Sequence, residues 1–156
     1  MHSASSSKIA STLIAVIGAG FLYSADVPVS FSEEVNPVLP KGFETTPLLK
    51  GSQTASGMKL EYPRTDKAEI VSVTGVMEPG GWTALHQHPV PVFVYVLEGS
   101  ITVKAEGGEP RVYQAGQAFL EDVNHWHQGF NQTDKPAKIL VVFMGEVGKP
   151  TTIAAK

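Results

Sequence analysis

The chain has 156 residues, 42% of them hydrophobic and 17% charged, which suits one domain around a single core. A net charge of -3, with no cluster of Lys and Arg, excludes a nucleic-acid footprint. The absence of cysteine excludes disulfides, thiolate ligands and thiol nucleophiles. Fifteen glycines and eleven prolines imply frequent turns and predict an all-β fold. In chain order, residues 1–25 read as a signal peptide or short anchor. Lys8 is the one Lys or Arg ahead of the apolar stretch from Ile9 to Tyr23, and Asp26 ends it. That stretch is short for a membrane-spanning helix, which needs about 20 apolar residues, and suits a secretory signal better. Cleavage after Ala25 would place bulky Tyr23 where a small residue is usual, so an uncleaved anchor is the alternative. The expected location is the periplasm or the exterior, with membrane contact only if the segment is uncleaved.

Residues 26–62 read as an extended linker and edge strands. Pro28, Pro37, Pro40 and Pro47 interrupt the first part, and Leu48 to Tyr62 suggests an edge hairpin around "GSQTASG". The barrel is expected over 63–149, followed by a tail at 150–156. "EIVSVTGVM" is a strand with Val71, Val73 and Met77 on one face. "WTALHQH" and "VFVYVLEG" follow the "EPGG" turn. "SITVKA" alternates as a half-buried strand and runs into the Gly107-Gly108 hairpin signal. "RVYQ", "QAFLE" and "HWHQGFN" are short strands, and "AKILVVFMG" is expected to be buried on both faces. Strands this short predict a sandwich or a small barrel. In the strand from Val92 to Leu97 both faces are apolar: Val92, Val94 and Val96 on one, Phe93, Tyr95 and Leu97 on the other. A barrel needs only one, so the other face predicts a cover, either the amino-terminal strands or a second subunit; a homodimer is favoured.

Four of the five histidines form two His-x-His pairs, His86 with His88 and His125 with His127. Alternation points each pair one way, with its members about 6.6 Å apart along the strand, close enough to share an ion. A lone buried histidine is ordinarily a hydrogen-bonded core residue, but two such pairs in an apolar barrel point to metal binding. Trp126 and Trp82 read as packing residues, with the pocket mouth as the alternative for Trp82.

Gly80, five further residues, His86-Gln87-His88 and then Gly99 resemble the first motif of the cupin superfamily. Gly116, His127 and Asn131 resemble the second, although Gln114 stands where a proline is usual. The chain is similar to small single-domain cupins carrying "HPVPVFVYVLEG" and a leading "TPLL", here Thr46 to Leu49. The resemblance spans about Glu69 to Phe143. It implies a small jelly-roll β-barrel holding a divalent metal on His86, His88 and His127. The cupin glutamate ligand falls at Val92, which has the right parity and the wrong chemistry. His125 or Glu121 could fill the gap, as a further ligand or by orienting one. Three neutral imidazoles alone would leave the site at about +2, against +1 with a carboxylate. Val92, Val94 and Val96 are expected to line the pocket. Fe, Mn, Ni and Zn all suit imidazole ligands.

Three functions remain open. The first is a mononuclear metal-dependent dioxygenase acting on a small enolisable or phenolic compound. The second is a non-catalytic module that binds a metal or a small ligand. The third is a metal-free structural barrel.

Overall fold

The computed structural model describes residues 41–156. The expected signal segment and most of the proline-rich linker lie outside the described residues. Among the described residues no helix is long and apolar enough to cross a membrane. The described residues are all-β, a small jelly-roll barrel of nine strands: β1 (Ala68–Met77), β2 (His86–Gln87), β3 (Val92–Glu98), β4 (Ser100–Ala105), β5 (Arg111–Gln114), β6 (Ala118–Glu121), β7 (His127–Phe130), β8 (Ala137–Glu146) and β9 (Ile153–Ala154). They form two sheets, ordered β1-β8-β3-β6 and β5-β4-β7-β2-β9, and every strand pairing is antiparallel.

The core follows from the parity of β3. Val92, Val94 and Val96 are 0%, 1% and 0% exposed, and they pack with Ile101, Phe119 and Phe143 between the sheets. Burying three valines completely contributes about 1.5–3 kcal/mol each. The β3–β4 reversal needs Gly99. Its φ is +70°, and a Cβ there would lie 2.6 Å from the Pro136 carbonyl oxygen.

Several elements differ from expectation. "WTALHQH" forms only the two-residue β2, and Trp82 is 66% exposed, bridging Phe130 through its backbone rather than packing. The predicted edge hairpin is a tight turn closed by one bridge, Gln53 to Lys59, docked on β6 by an Ala55 N–H to Leu120 carbonyl bond. β8 is mostly half-buried rather than buried on both faces. Its outward Leu140, Val142 and Met144 align with Phe93 and Tyr95 of β3 and Ile70 of β1, a face that other described residues leave partly open. The segment read as a tail carries β9, which pairs with β2.

Asn131 is 1% exposed, and all of its amide capacity is used. Its Nδ2 donates to the carbonyls of Met77 (2.8 Å) and Lys135 (2.7 Å), while its Oδ1 accepts from the Thr133 N–H (3.0 Å) and hydroxyl (2.7 Å). This clamps the end of β1 to the turn after β7. Asn131→Ala removes both donors and both acceptor contacts of this buried amide, and it should cost about 2 kcal/mol in chemical denaturation. A cost below about 0.5 kcal/mol would show that the clamp is redundant.

Candidate metal centre

β2 and β7 bring the histidines together. His86 lies directly opposite His127 in the antiparallel pair, so both rings leave the same face. His88 sits just past the end of β2, held by a bridge to Val123. The three ring centroids are 4.4–5.1 Å apart, and the potential ligand atoms of His86, His88 and His127 all lie within 4.8 Å of one another. His88 and His127 are each 3% exposed.

Backbone carbonyls fix how each ring presents itself. Nδ1 of His86 meets the Ala84 carbonyl at 2.7 Å, Nδ1 of His88 the Thr151 carbonyl at 2.8 Å, and Nδ1 of His127 the His125 carbonyl at 2.9 Å. A carbonyl only accepts, so each Nδ1 carries the proton. Each neutral ring therefore presents a bare Nε2 lone pair, the arrangement that outer partners impose on metal-binding histidines. Among the described residues, His127 Nε2 is buried without a hydrogen-bond partner. An orphaned buried acceptor beside two other convergent imidazoles fits a divalent transition metal, and the nitrogen donors suit Fe, Mn, Ni or Zn.

Glu121, at the end of β6, points into the same space. Its Oε2 is 3.1 Å from His88 Nε2 and its Oε1 is 3.5 Å from His127 Nε2. Burial opposes its ionisation, yet with the His127 and His88 rings protonated their hydrogen bonding and charge outweigh burial and hold its carboxyl at about 2. For His127 burial works downward, and the Glu121 carboxylate more than reverses it, raising the pKa. Burial lowers that of His86, and the neighbouring His127 and His88 add to the effect.

His125 does not join the site. Its Nε2 bonds the Glu106 carbonyl at 3.0 Å, and only its backbone oxygen serves the centre, by holding His127. His125 lies ahead of β7, which begins at His127, so strand alternation does not reach back to turn it inward. The sequence reading missed the part played by Thr151, because β9 returns from the far end of the chain. The inward placement of Glu121 was readable from Phe119, a core residue two positions earlier on the same strand.

A cavity of about 170 Å³ opens beside the histidines, with Val94, Ile101, Val141 and Phe143 among its walls and Glu121 as its carboxylate. Of the three valines expected to line it, only Val94 does; Val92 and Val96 are sealed into the core because packing closes over them. A second, smaller cleft on the other side of Glu121 and His127 is lined by Ser56, Arg111, Tyr113 and Asp122.

Residues 73–143 match the family model described as the cupin domain. Among solved structures, the DMSP lyase DddQ from Ruegeria pomeroyi DSS-3 is similar at 23% identity and a TM-score of 0.49, over 58% of this chain and 44% of that one. An oxalate oxidase in complex with the substrate analogue glycolate is similar at 23% and 0.49, over 55% and 46%. The polyketide cyclase RemF from Streptomyces resistomycificus is similar at 23% and 0.49, over 60% and 63%. The chain thus spans less than half the length of the first two. No curated protein matches it.

Proposed function

Residues 73–143 of this chain are a cupin domain, and from that premise we propose a divalent-metal-binding protein that acts as a mononuclear dioxygenase on a small enolisable or phenolic compound. The observation that carries the metal reading is the set of three Nδ1–H groups tied to carbonyls, which leaves three Nε2 lone pairs converging beside a cavity. A bound ion supplies Lewis acidity and open positions for oxygen-bearing ligands. The chain does the rest. Val94, Val141 and Phe143 exclude water, and about 170 Å³ limits the ligand to a small molecule. Oxygen uptake by iron-loaded protein on a panel of small diketones and phenols tests the dioxygenase reading. Turnover with one of them supports it.

A second reading, a non-catalytic metal or ligand-binding module, has its own support. Apart from Glu121 and the three histidines, the cavity offers no side chain that could transfer a proton. Stoichiometric metal with no oxygen uptake across the panel favours this module over the dioxygenase.

The partner on the outer face of the β1-β8-β3-β6 sheet is a second copy of the chain. Ile70 and Val76 are 65% and 62% exposed there, beside the half-buried Phe93 and Tyr95. Multi-angle light scattering should give twice the chain mass, and the double variant Ile70→Lys/Tyr95→Lys should halve it. A monomeric wild type at high concentration contradicts the dimer.

A further inference from the structure

The barrel's missing carboxylate is one strand away. Val92 and Glu121 lie directly opposite each other in the β3–β6 pair. Opposed residues of an antiparallel pair share a face, with Cβ atoms about 4.5–5.5 Å apart. Position 92 is 0% exposed and faces inward, so Glu121 faces inward beside it. We propose that Glu121 is the fourth protein ligand, delivering from β6 the carboxylate that β3 lacks at Val92. This rests on the metal-binding reading above.

The shorter Glu121 contact fits coordination, and the longer lies just beyond it. Ligands about 2.1 Å from one ion, at octahedral or tetrahedral angles, stand about 3.0–3.4 Å apart. The Glu121 oxygens stand 3.1 Å from His88 Nε2 and 3.5 Å from His127 Nε2. The ring protons make the same point. Nδ1–H of His88 is spent on the Thr151 carbonyl and that of His127 on the His125 carbonyl. The neutral rings then aim bare lone pairs at an anionic oxygen. Two acceptors at this range repel unless a cation lies between them. A proton can serve one ring; a metal ion serves both. At 3.5 Å the Glu121 contact is too long to satisfy His127 Nε2, which has no hydrogen-bond partner among the described residues. Among the described residues, Glu121 makes no ion pair with Lys or Arg, so its charge is committed to these two rings. With Glu121 bound, the site carries about +1 rather than the +2 of three imidazoles alone.

Zinc titration calorimetry tests the assignment. Glu121→Gln keeps the shape and removes the charge, and it should weaken zinc at least about tenfold. Moving the carboxylate back, in the double variant Val92→Glu/Glu121→Val, should restore affinity to within a few-fold of wild type, whereas Glu121→Val alone should not. A zinc-bound crystal should place a Glu121 oxygen about 2.0–2.2 Å from the ion. Wild-type affinity in Glu121→Gln, or a carboxylate held away from zinc by a bridging water, overturns the assignment while leaving the histidine site standing. A wild type that binds no zinc overturns both.

Discussion

Protein carrying His88→Ala will purify without a bound ion and will bind added zinc at least about a hundredfold more weakly than wild type. Complete zinc sites are worth about 10–16 kcal/mol, so one ligand among three or four carries roughly 3–4 kcal/mol. His88 is firmly placed. It is 3% exposed, anchored through Nδ1 to Thr151 and packed against Phe143 with ring centroids 5.3 Å apart. The remaining pair, His86 and His127, faces the ion from adjacent strands and leaves the opposite side open. The fold should survive, because the buried apolar cluster does not include His88. Metal analysis with far-UV circular dichroism separates lost binding from lost folding. Wild-type metal content in a folded His88→Ala protein would place the ion elsewhere.

Val92→Glu should destabilise the metal-free protein by several kcal/mol, and added metal should restore most of the loss. Val92 is 0% exposed, with Phe143 opposite it on one side and Glu121 on the other. A glutamate there must either ionise without water, next to a second carboxylate, or take up a proton. A loss of that size lowers Tm by on the order of 10–20 °C for a domain of this length. An ion between the carboxylates and the imidazoles removes the repulsion and gives the new oxygens a partner. Thermal melts of both proteins, with and without zinc, read the difference. Equal loss in the two conditions would mean that position 92 does not reach the ion.

Most of the barrel was legible because two-residue periodicity is a local property. The valines of β3 announce an inward face without reference to any other strand, and Gly99 marks the reversal that follows. His86 and His88 were legible as a pair for the same reason, even though β2 ends at Gln87. What depends on register was not legible. That Glu121 stands opposite Val92, or His86 opposite His127, follows from how separate strands align, and spacing along the chain does not encode it. His125 shares parity with His127 in the sequence, but β7 begins only at His127, so that parity does not turn its ring inward. The short strand β9 was invisible because "TTIAAK" is too brief to show a period, yet the Thr151 carbonyl beside it orients the His88 ring.

Metal stoichiometry of the wild-type protein decides whether His86, His88 and His127 hold an ion. Protein purified without added metal, then dialysed separately against Fe, Mn, Ni and Zn and passed through a desalting column, should retain about one ion per chain with at least one of them. Chains that remain metal-free after all four would contradict a metal centre at His86, His88 and His127.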